Sequence, residues 1–233
     1  MRQIICVHVG EKYPDDYVQK LYAGCKRNST VDFIFTVISD RSNYEIIDDR
    51  FKIIPAIKDS DCRSDRLWWH KMEAFDPDIA TDENLLIDVD VVLTNSIDKL
   101  WDHLPGEFLI CQDFNRQWYP YYARSNSSVV RFTKHHCNHI HPLWCKTKTD
   151  SIRNLRGDQD WMDEHLSFMK KWPKEWIMSW KWEVYLGGMI TSDQSRYRRD
   201  TTTLDRNTCI LAFHGKPDPH EVKDDLIERF WRK

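Results

Sequence analysis

The chain is predicted to be an α/β protein built on a mainly parallel sheet flanked by helices. Three observations point there: short, continuously apolar runs of the kind buried on both faces, helix-period segments between them, and short connections. Over 233 residues, 41% hydrophobic and 30% charged, these features suit a single globular domain.

Ile4–Val9 is the first apolar run. A helix follows, with Pro14 near its first turn, Asp15 and Asp16 at its positive end, and Lys26 and Arg27 at its close; Tyr17, Val18, Leu21, Tyr22 and Cys25 share one face. Val31–Ile38 and Phe51–Ile54 read as the second and third strands. Leu67, Trp68, Met72 and Phe75 mark a helical face within Arg66–Phe75, which leads into a fourth strand, Asn84–Leu93. Phe108–Cys111 and Ser128–Phe132 are further strands. From Lys134 the pattern turns irregular: Asp158–Met169 reads as a helix, Trp180–Tyr185 alternates like a strand, Cys209–Phe213 is apolar, and Glu221–Trp231 is a closing helix. Residues 1–115 therefore form the regular half and 116–233 a less regular one, with no Gly-, Ser- or Pro-rich linker between them.

Composition narrows the function. The 34 basic and 37 acidic residues leave a formal net charge of -3, without the basic surplus that duplex nucleic acid demands. No apolar run reaches the ~20 residues of a membrane span, and the N-terminus carries no signal-cleavage pattern, so the chain reads as cytoplasmic. Seven cysteines (6, 25, 62, 111, 137, 145 and 209) are odd in number and lack any CxxC, arguing against a disulfide framework; Cys6, Cys111 and Cys209 read as core. The 11 Trp suit a thick core, sugar-stacking surfaces or a membrane belt. Trp172, Trp176 and Trp180 recur at helical spacing and read first as core; Lys170, Lys171, Lys174 and Lys181 provide only a weak version of the basic face that peripheral membrane contact needs.

The strongest chemical signal is Leu85-Leu86-Ile87-Asp88-Val89-Asp90-Val91-Val92. Two acids interrupt an apolar run, and at i and i+2 on a strand they would project from one face. Held 4 Å apart, two such charges repel by ~4 kcal/mol at an effective dielectric of 20, so a cation is expected between them, and oxygen ligands favour Mg²⁺ or Mn²⁺. A pair of turn-capping aspartates is the alternative. Near the C-terminus, a strand delivers His214 to Gly215 and Lys216, where the imidazole suits a metal and the ammonium a phosphate; a structural, hydrogen-bonded His is the plainer account. Asp158-Gln159-Asp160 opens a helix, where Asp is also an ordinary N-cap. Ser125–Ser128 packs small polar residues before a strand, as a turn would. The cluster His135, His136, Cys137, His139, His141 and Cys145 fits no usual zinc spacing and reads as a solvent-facing acceptor loop.

Taken in order, Val7–Tyr13 with Tyr17 and Leu21, Leu67–Lys71, Asp88-Val89-Asp90, Asp158-Gln159-Asp160 and Phe213–Pro217 resemble a GT-A type glycosyltransferase, similar to the family 8-like nucleotide-diphospho-sugar transferases and small bacterial and phage relatives. The resemblance implies a GT-A (Rossmann-like) sheet and transfer of a sugar, a UDP-sugar favoured, to a glycan, lipid-linked or protein acceptor with retention at the anomeric carbon. It implies Mn²⁺ or Mg²⁺ on Asp88, Asp90 and His214, and nucleotide contacts from Val9, Gly10, Lys12 and Tyr13. Lys71 and Asn126 would be donor contacts, and Gly215 with Lys216 would meet the diphosphate. Asp158, Gln159 and Asp160 would lie beside the anomeric carbon. Residues 1–115 would then bind the nucleotide sugar and 116–233 the acceptor, with exposed members of Trp118, Trp144 and Trp161 lining the acceptor cleft. Two alternatives are a sugar-1-phosphate nucleotidyltransferase, for which Gly10-Glu11-Lys12-Tyr13 is a poor phosphate loop, and a Trp-rich carbohydrate-binding module, which leaves the Asp pair without a task.

Overall fold

A computed structural model describes residues 1–46, 48–57, 66–185, 204 and 206–233; Cys62 and the segment 186–203 of the less regular half lie outside them. Strands buried at consecutive positions, with successive side chains facing opposite layers, build the centre of the molecule. In β1 (Arg2–His8), Ile4 and Cys6 face one side, against Tyr17, Val18 and Leu21 of α1 (Asp16–Arg27). Ile5 and Val7 face the other, against Trp69, Met72 and Phe75 of a 3-10 helix, Leu67–Phe75. The same parity runs through β2 (Ile34–Ser39), β4 (Glu83–Ile87), β6 (Leu109–Gln112) and β7 (Ser125–Thr133). A strand buried on both faces must be apolar at consecutive positions, which is why these runs lack polar alternation.

Among the described residues, with β3 (Phe51–Pro55) and β8 (Lys170–Lys171), seven strands form the main sheet in the order β3-β2-β1-β4-β7-β6-β8. Strands β3, β2, β1 and β4 are parallel, whereas β7 runs antiparallel to both β4 and β6. The chain order reverses between β1 and β4. A crevice opens beyond the strand ends at such a switch point.

Several elements differ from expectation. The fourth strand stops at Ile87; Val92–Leu93 form β5, which belongs to a second sheet with β9 (Ile177–Ser179) and β10 (Ile210–Ala212), in the order β5-β10-β9. Asp88 and Asp90 therefore lie in the turn between two sheets rather than along a strand. Ser125–Ser128 belongs to β7 itself, not to a turn ahead of it. The His/Cys cluster is not a loop: it lies in α3 (Lys134–Asn154), whose buried Cys137, Ile140, Trp144 and Ser151 keep helical spacing. Trp172, Trp176 and Trp180 do not share a helix, because the chain runs from β8 through a turn into β9, and Trp180–Tyr185 is a π-helical segment rather than a strand. The remaining helices are α2 (Asp98–Asp102), α4 (Asp158–His165) and α5 (Asp225–Phe230). Cys6, Cys111 and Cys209 are fully buried, as expected. Among the described residues, no helix is long and apolar enough to cross a membrane.

Candidate active site

A cavity of about 620 Å³ lies beyond the carboxyl ends of β1 and β4. Its first wall is the loop after β1. His8 anchors it: Nε2 donates to the Tyr13 carbonyl at 2.8 Å, and Nδ1 accepts from the Tyr44 hydroxyl at 2.7 Å. Burial holds the His8 imidazole below its ordinary pKa, so it is neutral. Gly10 turns this loop at φ +78°, a left-handed conformation that favours glycine, and a Cβ there would lie 2.3 Å from Leu67 Cδ1, so the Leu67 side chain would have to shift. Its amide donates to Asp40 Oδ2 at 3.1 Å, and Arg41 donates to its carbonyl.

The floor carries the charges. Lys71 Nζ lies 2.5 Å from Asp88 Oδ1 and donates to Ser127 Oγ at 3.0 Å. Burial opposes the ammonium, but Asp88 and Asp158 outweigh it and raise Lys71 above its ordinary pKa. Asp90 is buried and accepts from the Tyr13 hydroxyl at 2.6 Å. Burial, and after it the Asp88 charge, push the Asp90 carboxyl well above the usual carboxylate range. Two acids held so close favour a cation beside them.

The far wall is the start of α4. Asp158 is buried, and burial raises its carboxyl against the pull of Lys71. Its Oδ2 is buried without a hydrogen-bond partner among the described residues, an unmet acceptor in a residue that lines the cavity. Asp160 is held by Arg156 Nε at 3.0 Å, and Gln159 lies between the two acids along the cavity. On the remaining side, His214 stacks on Phe114, with ring centres 4.9 Å apart, and its Nε2 meets Ser179 Oγ at 2.6 Å. Burial, then the Lys181 charge, bring its pKa down to about 3, so the ring is neutral.

No protein-family model and no curated protein matches the chain. Solved structures do. An active-site mutant of LgtC superposes with a TM-score of 0.67 at 12% identity, over 98% of this chain and 93% of that one. The galactosyltransferase LgtC in complex with donor and acceptor sugar analogues matches at 0.67 and 13%, with the same coverage. The glycosyltransferase GlyE of Streptococcus pneumoniae TIGR4 matches at 0.63 and 12%, over 99% of this chain and 60% of that one. The chain has the GT-A fold.

Within this GT-A fold the cavity gathers Val9, Lys12, Tyr13, Lys71, Asp88, Asp90, Asn126, Asp158, Gln159, Asp160, His214 and Gly215. Two residues named with them stand back. Gly10 shapes the wall without lining it. Lys216 is exposed, donating to Asp218 at 2.8 Å and Glu221 at 2.7 Å. Three further residues line the cavity or press against residues that do. Trp68 lines the cavity and donates from Nε1 to the Arg156 carbonyl at 3.0 Å; Arg156 braces Asp160; Lys181 approaches Gly215 so closely that a Cβ there would lie 3.3 Å from its Nζ. The Arg156–Asp160 spacing of four was the sequence signal for one of them. Trp161 is fully buried and Trp144 nearly so, packed edge to face at 5.7 Å, so neither lines an acceptor cleft; Trp118 is half-buried.

Asp88, Asp90 and His214 line one cavity, and two carboxylates with a neutral imidazole suit Mn²⁺ or Mg²⁺. Each has an internal partner at present (Lys71, Tyr13 and Ser179), and among the described residues no three His, Cys, Asp or Glu side chains converge as a ready-made metal cage.

Proposed function

We propose that this protein is a metal-assisted glycosyltransferase that moves a sugar from a nucleotide-diphospho-sugar, UDP-linked by preference, to a carbohydrate-type acceptor with retention at the anomeric carbon. One observation carries the reading: a single cavity at the β1–β4 switch point of a GT-A fold joins the Asp88/Asp90 pair, Lys71 and the Asp158–Asp160 segment. LgtC, which shares the fold, was solved with donor and acceptor sugar analogues.

In this reading the Val9–Tyr13 loop receives the base and ribose, and Gly10 keeps its backbone close to the 3-10 helix. Asp88, Asp90 and His214 would hold Mn²⁺ or Mg²⁺, which supplies positive charge to the leaving diphosphate. Lys71 stays protonated beside Asp88 and offers a donor hydrogen bond to the incoming sugar or phosphate. Lys12 and the Gly215 backbone stand on the diphosphate side, and Asn126 beside the sugar; Lys216 would have to leave Asp218 and Glu221 to join them. Asp158 Oδ2 accepts from a sugar hydroxyl, with Gln159 and Asp160 flanking the anomeric carbon. The donor site draws on both 1–115 and 116–233, since Asn126, Asp158–Asp160 and His214 share the cavity with the β1 loop.

A panel of nucleotide sugars with Mn²⁺, scored by thermal shift and nucleotide release, tests the reading. One donor is expected to stabilise the protein and to release its nucleoside diphosphate slowly. Absence of both effects across the panel contradicts it. Inorganic pyrophosphate release from a nucleoside triphosphate and a sugar 1-phosphate would indicate nucleotidyl transfer instead.

A further inference from the structure

The segment between β6 and β7 carries Trp118, Tyr119, Tyr121 and Tyr122 around Pro120. Its two ends are both fixed at the cavity. Phe114 stacks on His214, and Asn126, at the start of β7, lines the cavity wall. Between them the backbone is a formed turn: Trp118 and Tyr119 amides donate to the Asn115 carbonyl at 2.9 Å, Tyr122 donates to the Tyr119 carbonyl at 2.8 Å, and Gln112 Nε2 braces the Tyr122 carbonyl at 2.7 Å. This braced turn nevertheless leaves Tyr119 65% and Tyr121 98% exposed. An aromatic row leads back from it, since the Trp118 ring lies 6.5 Å from Trp182, and Trp182 lies 4.4 Å from His214.

The charges nearby are already satisfied. Arg116 is buried against Glu183 at 2.9 Å, Arg124 faces Asp163 at 3.9 Å, and Asp113 accepts from the Asn115 amide. Arg124 and Arg156 are at least half exposed beside the rings, but each faces an acid, Asp163 and Asp160, so this charge-balanced surface gives anionic lipid headgroups little to hold. It suits the C–H faces of pyranose rings, because an aromatic side chain presents a rigid apolar plane with a polar rim.

We infer that the Trp118–Tyr122 turn is an acceptor platform on which an oligosaccharide stacks while its terminal sugar enters the cavity. The inference rests on the glycosyl-transfer reading for its biological use, but the platform is testable without turnover.

The full chain and its Tyr119→Ala/Tyr121→Ala double variant are applied to an array of immobilised neutral di- to tetrasaccharides, without nucleotide. Both are also titrated with UDP and Mn²⁺ and heated to compare melting temperatures. The wild type is expected to capture at least one oligosaccharide and the variant to lose roughly tenfold in affinity, with melting and UDP binding unchanged. Equal capture by both proteins, no capture by the wild type, or binding to phosphatidylglycerol vesicles that depends on the tyrosines overturns the platform. Tyrosine-dependent glycan capture by a protein that binds no nucleotide sugar would sink the transferase reading and leave the platform standing. Donor turnover without such capture would do the reverse.

Discussion

Lys71 Nζ lies 2.5 Å from Asp88 Oδ1, in a floor where both side chains are largely buried. The ammonium is thus the chain's own partner for an acid pair that sequence alone left with a missing cation. Removing one member of a buried pair leaves the other charge uncompensated, at a cost of about 3–5 kcal/mol. Lys71→Met is expected to lower stability by about that amount in urea titrations and to reduce donor turnover at least about 100-fold. Lys71→Arg should recover most of the stability and little of the turnover, because a planar guanidinium does not replace a point charge. Full turnover by Lys71→Met would remove the residue from the donor site.

Gly157 precedes the Asp158–Asp160 segment with the Trp68 indole laid against it: an added Cβ would lie 2.8 Å from Trp68 Nε1. Gly157→Ala should therefore displace Trp68, its bond to the Arg156 carbonyl and the start of α4 together. Turnover is expected to fall roughly tenfold, and the double variant Trp68→Ala/Gly157→Ala should be no worse than Trp68→Ala alone, since contacting residues are non-additive. Strictly additive losses would show that the two act independently.

Arg116 joins the β6–β7 turn to the π-helical segment through Glu183, at 2.9 and 3.0 Å, and to the second sheet through the Ile177 carbonyl at 2.8 Å. Arg116→Met strands Glu183 and that carbonyl in a buried place. A loss of about 3–5 kcal/mol in chemical denaturation is expected, and a change below about 1 kcal/mol would contradict the assignment.

Much of the fold was legible because burial on both faces of β1, β2 and β4 forces consecutive apolar residues, and the Tyr17–Cys25 face of α1 needs only helical spacing. The boundary after Ile87 was not. Val91, Val92 and Leu93 are as buried as Leu85–Ile87, but in part against a different sheet, and periodicity records burial without naming the partner. The α3 helix was hidden by its polar composition and Pro142, although Cys137, Ile140 and Trp144 kept the period. For the cavity, acids interrupting an apolar run stood out, which drew attention to Asp88 and Asp90, whereas Asp158 read equally as an N-cap and was singled out only through the resemblance. Trp68 stood only inside the Leu67–Lys71 motif and Lys181 only on a weak basic face, because their approaches to Gly157 and Gly215 come from distant parts of the chain. Trp144 and Trp161 show the converse, since composition cannot separate a core ring from a surface one.

The cap of α3 gives a pH dependence. His136 Nδ1 accepts from the Thr133 amide at 3.0 Å, and burial, then the charge of His135, hold its pKa below the ordinary histidine value. The unfolded chain takes up this proton near pH ~6.5 and the folded one does not, so stability from this group is complete above that pH and is lost as pH falls below it. His136→Gln keeps an acceptor at this position of the capping box without a titrating ring. It should match the wild type at pH 7.5 and exceed it in urea midpoint at pH 5. An identical pH slope in both proteins would contradict the assignment.

The central claim is that Asp88, Asp90 and the Asp158 segment form one donor site for a nucleotide sugar. Its most direct measurement is nucleoside diphosphate release with the donor that stabilises the protein best, with and without Mn²⁺, in the wild type and in Asp90→Asn and Asp158→Asn. Release that requires Mn²⁺ and falls at least about 100-fold in both variants, while each still folds, is the predicted result. Release that persists in EDTA and in Asp90→Asn at the wild-type rate would contradict the account.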